Sequence, residues 1–175
     1  ELISFNELNN SSNFSSDSYF IIDQYLKFGL NFWKKLDGEY AIIIYDPRKN
    51  MVIFITDIFG TKPIYYSLDN DELSISSLRS TLGLNGHKNI LKASPNTIYQ
   101  YNLSSKELTE KKEYFKFNIE QYKETFDDWN EKFHQSMLKR FSVAKHDIIL
   151  PLSSGHDSGA IACALNLLGI NYYTY

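Results

Sequence analysis

Ile148-Ile149-Leu150-Pro151-Leu152-Ser153-Ser154-Gly155-His156-Asp157-Ser158 is the stretch on which the reading of this chain turns. Residues 148–152 are a short continuous apolar run, the pattern of a strand covered on both faces. Gly159 to Leu168 reads as an apolar helix ended by Gly169, and Tyr172 to Tyr175 as the next strand. Strand, loop, helix and strand make one βαβ unit of a parallel sheet. The loop between strand and helix is small and polar. A helix N-terminus offers free backbone N–H groups and the positive end of the dipole, which suit an anion such as pyrophosphate. Small residues let the backbone approach phosphates closely, and the hydroxyls of Ser153, Ser154 and Ser158 add donors. Asp157 is a carboxylate in a loop suited to anions. It repels them unless a cation lies between, so it points to Mg²⁺. No Gly-Lys-Ser/Thr follows, which excludes a Walker loop.

Upstream, Trp129, Phe133, Met137 and Phe141 fall four apart with charges between them, an amphipathic helix that serves a core or a domain interface. Residues 104–124 are charged and polar. The boundaries expected are a first domain over 1–115, a linker over 116–124 and a second domain over 125–175.

The first domain begins with a polar loop over 9–18. Phe20, Ile21, Tyr25 and Phe28 then recur at helical spacing from Asp17, and Gly29 stops the helix. Leu36-Asp37-Gly38 is a turn. Tyr40 to Tyr45 and Met51 to Ile55 are apolar strands joined by a hairpin loop over Asp46 to Asn50, and their continuous apolarity predicts cover on both faces. Ile64 to Ser67 and Leu73 to Ser76 form a second hairpin around Asp69-Asn70-Asp71. A short helix over Leu78 to Leu82 and late strands over Thr97 to Leu103 and Tyr114 to Phe117 complete an α+β pattern.

Bulk properties narrow the function classes. Of the 175 residues, 43% are apolar, enough for a packed core and too many for a disordered chain. The net charge is −3 with no basic stripe, which argues against a nucleic-acid partner. The longest apolar run, Ala160 to Gly169, is interrupted by Asn166 and is too short for a bilayer, so no membrane role is expected. The lone cysteine, Cys163, reads as a small buried residue and suits a reducing, cytoplasmic setting. His87, His134 and His146 show no metal spacing. Both ends read as mid-domain sequence, so the chain is expected to be an internal fragment.

Ser153 to Ser158 resembles the S-G-G-x-D-S loop of the ATP pyrophosphatases, with Ser154 in place of the first glycine. Upstream, Leu36-Asp37-Gly38-Glu39-Tyr40-Ala41-Ile42-Ile43-Ile44-Tyr45-Asp46 looks like the L-D-G-x-F-A-hydrophobic-D stretch of the asparagine synthetase family. Asp57-Ile58-Phe59-Gly60-Thr61-Lys62-Pro63-Ile64-Tyr65-Tyr66 looks like its R-D-x-x-G-x-K-P-L-Y-Y, with Thr56 replacing the arginine. Ser76-Ser77-Leu78 stands where that family has Ala-Ser-Glu. Their order and spacing, followed by the pyrophosphatase loop, match the family over nearly the whole chain.

The resemblance implies a partial N-terminal-nucleophile (Ntn) glutaminase domain of α+β type with antiparallel sheets. It is followed by the start of an α/β parallel-sheet pyrophosphatase domain. The implied chemistry is hydrolysis of glutamine to ammonia, Mg-ATP-dependent adenylation of a carboxylate such as aspartate, and attack of ammonia to form an amide. ATP and Mg²⁺ are the implied cofactors. ATP, glutamine and aspartate or another carboxylate are the small-molecule partners, and a homodimer is compatible with the resemblance. Leu152, Ser153, Ser154, Gly155, His156, Asp157 and Ser158 would bind ATP and pyrophosphate, with Asp157 on the Mg²⁺. Asp17, in Ser16-Asp17-Ser18, would hold the glutamine α-amino group while also suiting a helix cap. Phe5-Asn6-Glu7-Leu8-Asn9-Asn10 looks like a decayed N-G-E-I-Y-N, which makes Glu7 a second glutamine contact. The family's nucleophile, an N-terminal cysteine, is absent from the chain. Two other readings stand beside this one. One is an amide-forming cyclase of the β-lactam synthetase or lasso-peptide type, with an inactive glutaminase domain. The other is a non-catalytic nucleotide-binding fragment.

Overall fold

A computed structural model of the chain describes residues 16–141, 144 and 146–175. The chain divides into two compact units, Glu1–Asn118 and Ile119–Tyr175.

Among the described residues, the first unit begins with helix α1, Asp17–Phe28, which continues as a 3-10 turn over Gly29–Lys35. Gly29 closes α1 at φ 57°, a conformation that favours glycine. The N-cap is Ser16, so Asp17 is the first helical residue and not the cap itself. Seven strands follow: β1 Ala41–Asp46, β2 Met51–Thr56, β3 Tyr65–Asp69, β4 Glu72–Ser76, β5 Leu91–Lys92, β6 Thr97–Asn102 and β7 Glu107–Lys112. Helix α2, Arg79–Leu84, lies between β4 and β5. One antiparallel sheet runs β1-β2-β6-β7 and a second runs β4-β3-β5.

The central strands alternate across the first sheet as the period-two pleat requires. Ile53, Ile55 and Ile98 face α1, packing with Phe20, Tyr25, Phe32, Tyr40 and Ile42. Phe54 and Tyr99 face the other way and pack with Ile64, Tyr66 and Ala93 of the second sheet's side. Phe54 and Tyr99 stack at 4.6 Å between ring centroids, with planes 3° apart. The unit is therefore layered helix, sheet, sheet.

Two expectations for this unit are corrected. Strand β1 is covered on one face only: Ile43 is 52% and Tyr45 62% exposed, and among the described residues β1 pairs with β2 alone. The last strand falls on 107–112, not on 114–117. Among the described residues β7 pairs with β6 alone and needs only one covered face, so Glu107, Glu110 and Lys111 stay in water while Leu108 packs inward.

The second unit holds α3 Asp127–Phe141, β8 Ile149–Leu150, α4 His156–Leu167 and β9 Tyr173–Thr174. Strands β8 and β9 pair in parallel. Met137 of α3 and Ala164 and Leu165 of α4 bury Leu150 from one side. Ile149, on the opposite face, is 62% exposed, so the strand is covered on one face only. Cys163 lies on the uncovered side of α4 and is exposed, contrary to the buried position expected. Among the described residues, no helix is long and apolar enough to cross a membrane.

Candidate functional site

In the second unit, the loop from β8 into α4 is knitted together by its own hydroxyls. Gly155 is the N-cap of α4, with extended backbone at φ −79° and ψ 152°. Its N–H donates to Ser153 Oγ at 3.2 Å. Ser153 Oγ and Ser158 Oγ lie 3.0 Å apart, and the Ser158 hydroxyl is 3.2 Å from the carbonyls of both Ser153 and Gly155. A Cβ at Gly155 would sit 3.1 Å from Ser153 Oγ, so the close turn suits glycine. Ser154 lies outside the left-handed region, so serine is accommodated where the related loop has glycine.

The first intrahelical bond of α4 runs from Gly159 N–H to Gly155 O. The N–H groups of His156, Asp157 and Ser158 precede it and are the orphan donors of the first turn. Ser154, His156 and Asp157 are exposed around them. Leu152 is half-exposed, its N–H donating to Tyr175 O at 3.3 Å. The structure thus gathers Ser153, Gly155 and Ser158 into one turn, rims it with Ser154, His156 and Asp157, and sets Leu152 at its strand end. Among the described residues there is no group of three or more His, Cys, Asp or Glu able to hold a metal. One carboxylate beside backbone and hydroxyl donors suits a Mg²⁺ carried by phosphate oxygens and water, not a cage made wholly of protein ligands.

In the first unit, Asp17 stands in the first turn of α1, where the helix dipole favours negative charge. Next to it, Ser18 opens a groove of about 520 Å³ between α1 and β1. Ser18, Ile21, Ile22 and Tyr25 line one wall, and residues 41–48 the other. The groove ends in a polar cluster. Asp46 is 2% exposed and accepts hydrogen bonds from Arg48 N, Nε and Nη2 at 3.1, 3.0 and 3.1 Å. It also accepts one from the Tyr25 hydroxyl at 2.9 Å. The Arg48 bonds, chiefly, hold the Asp46 carboxyl down at about 2. Lys49 Nζ approaches the Tyr25 hydroxyl at 3.3 Å. Glu7 lies outside the described residues.

A second carboxylate organises the loop after β2. Asp57, 3% exposed, accepts from the N–H groups of Tyr40, Phe59, Thr61 and Lys62 and from the Thr61 hydroxyl. Burial pushes its carboxyl up, but the Thr61 bonds and those of Phe59 and Tyr40 outweigh this, and it lies below the usual carboxylate range. Gly60 takes φ 64° in this loop. Lys62 pairs with Glu39 at 3.2 Å on the surface. Thr56, where the related stretch has arginine, is buried, and its hydroxyl donates to Asp57 O.

Sequence reasoning named Asp57 as a loop residue and missed the Tyr25–Asp46–Arg48 cluster. Part of the signal was present, since an Asp closing an apolar strand two residues before an Arg can bond it locally. The Tyr25 partner, 21 residues away, carries no such signal.

A family described as "Glutamine amidotransferase domain" matches residues 4–136. Asparagine synthetase [glutamine-hydrolyzing] 2 of Bacillus subtilis is 35% identical over 63 residues, 36% of this chain and 8% of that protein. Amidase chry2 of Gibberella zeae is 30% identical over 63 residues, 36% of this chain and 9% of that protein. The chain thus spans under a tenth of these two relatives by matched length. Among solved structures, glutamine phosphoribosylpyrophosphate amidotransferase from B. subtilis, complexed with ADP and GMP, matches with a TM-score of 0.56 at 20% identity. That match covers 99% of this chain and 43% of the other, and with the antiparallel sheets of the first unit it shows an α+β fold of Ntn type there.

Proposed function

The chain belongs to the glutamine amidotransferase domain family, and from that premise we propose that it is part of an ATP-dependent, asparagine-synthetase-like ligase that forms an amide from a carboxylate and glutamine-derived ammonia. The observation that carries this reading is an order. An amidotransferase domain is followed by a parallel strand, a Ser153-Ser154-Gly155-His156-Asp157-Ser158 turn and a helix N-terminus. Glutamine hydrolysis alone has no use for such a turn, whose first-turn N–H groups and hydroxyls suit an anion.

In this reading Mg-ATP supplies the activation of the carboxylate, with aspartate the first candidate. The chain's own residues bind and orient. The first-turn N–H groups of α4 and the hydroxyls of Ser153, Ser154 and Ser158 hold phosphate oxygens. Asp157 holds the Mg²⁺ against them, and His156 flanks the site. Leu152 and the strand before it border the base. In the first unit Asp17 holds the α-amino group of glutamine, its charge opposite to the ammonium.

The test is pyrophosphate release from Mg-ATP by the full-length protein with aspartate present and absent. Aspartate-dependent release supports the reading; no nucleotide turnover with aspartate or any other carboxylate contradicts it.

Thr56 favours a second reading. A buried threonine presents no guanidinium where the related stretch carries arginine. The parent would then be a cyclase of the β-lactam or lasso-peptide type, using an amine within its own substrate. Ammonia-independent cyclisation by a protein that does not hydrolyse glutamine would establish it.

A further inference from the structure

Helix α1 carries Asp17 at its N-terminus, and its placement on the sheet sets where that carboxylate points. Apolar packing of Phe20, Ile21 and Tyr25 draws the helix onto β1 and β2, but such packing is non-directional and tolerates sliding and rotation. Hydrogen bonds are directional. Within α1, Lys27 and Gln24 both bond back to Asp23, so neither fixes the helix on the sheet. The Tyr25 hydroxyl does: it reaches 2.9 Å to Asp46 Oδ2 at the end of β1, in a buried bond across 21 residues. Asp46 is itself immobilised by three bonds from Arg48. The Tyr25 ring is braced edge-on by Phe32 at 5.9 Å. A rigid helix transmits this anchor to Asp17, eight residues or about 12 Å away.

We propose that Tyr25, through its bond to Asp46, is a positioning residue for glutamine binding, fixing α1 so that Asp17 meets the substrate ammonium. This rests on the reading that Asp17 holds that group. Tyr25→Phe keeps the ring and its Phe32 contact and leaves Asp46 bonded to Arg48, so the fold survives.

The experiment is steady-state kinetics of the full-length enzyme with glutamine and, separately, with ammonium. Four forms are compared: the unaltered protein, Tyr25→Phe, Lys49→Met and Asp17→Asn. Tyr25→Phe is expected to raise KM for glutamine roughly two- to tenfold, the equivalent of one hydrogen bond, with little change in kcat. Ammonium-dependent turnover stays unchanged. Lys49→Met, which removes the donor to the same hydroxyl and the cation over the Tyr25 ring, is expected to shift the glutamine KM less than Tyr25→Phe; an equal or larger shift takes the positioning away from the Asp46 bond and overturns the proposal. An unchanged glutamine KM in Tyr25→Phe, while Asp17→Asn raises it, overturns the positioning role alone. A parallel fall of the glutamine and ammonium activities in Tyr25→Phe makes the bond merely structural and also overturns it. An unchanged KM in Asp17→Asn, or no glutamine turnover by the unaltered protein, removes the underlying reading and the proposal with it.

Discussion

Gly60 lies against Pro95 so closely that a Cβ on Gly60 would meet Pro95 Cγ at 2.9 Å, in a backbone already at φ +64°. The Asp57 loop therefore depends on glycine twice, for its conformation and for its space. Gly60→Ala is expected to destabilise the first unit by about 3 kcal/mol, roughly 1–2 from the left-handed conformation and the rest from the displacement of Pro95. A lowered urea midpoint with an unchanged slope would bear this out; an unchanged midpoint would not.

Asp57 holds the same loop from inside by accepting four backbone N–H groups and one hydroxyl. Asp57→Ala leaves these donors without their acceptor in a buried setting. The expected loss is roughly 3 kcal/mol, read by thermal or urea unfolding, with Asp57→Asn retaining part of it. A loss as small as that of an exposed aspartate would remove Asp57 from this role.

Asp46 makes part of the stability pH-dependent. Its carboxyl lies at about 2, below the ordinary 3.8, mainly because Arg48 bonds the charged form and Tyr25 adds to this. A carboxyl lowered by folding stabilises the fold above its unfolded value, and that contribution fades as pH falls through the folded one. Unfolding midpoints should therefore decline between about pH 4 and pH 2, and decline less in Asp46→Asn. Equal slopes in the two proteins would show that other groups govern acid unfolding.

The proposed function puts Asp157 on the Mg²⁺, and its exposure means that the fold does not depend on it. Asp157→Asn should weaken ATP binding at least tenfold in Mg²⁺ and scarcely at all in EDTA, with the unfolding midpoint unmoved. Equal weakening in both media would mean that the carboxylate acts on the turn itself.

Much of this architecture is legible in single residues. The β3–β4 hairpin can be read from Asp69-Asn70-Asp71. Asn70 and Asp71 take φ 52° and 62°, and Asn and Asp tolerate the two left-handed positions of a two-residue turn. Gly29 marks the end of α1 for the same steric reason. The turn at 153–158 is legible because its chemistry is local. Cover is less legible. An apolar run such as Ile42 to Tyr45 says that a strand forms, but not whether a second sheet reaches over both faces. Strand β7 hid behind its charges, since Glu107–Lys112 needs only its ladder with β6 and one inward leucine. Cys163 was misplaced because a small apolar residue on a helix carries no sign of which face is covered. The Tyr25–Asp46 bond was missed because tertiary pairing across 21 residues leaves no local pattern.

The measurement that bears most directly on the proposed function is amide formation by the full-length protein with Mg-ATP and aspartate, with glutamine or ammonium as the nitrogen source. Pyrophosphate and asparagine, released in equal amounts with either source, are the predicted result. Product with ammonium alone would leave a working synthetase beside a silent glutaminase domain. No turnover of aspartate with either source would contradict the assignment of aspartate as the acceptor. If no other carboxylate released pyrophosphate, it would contradict the ligase reading as a whole.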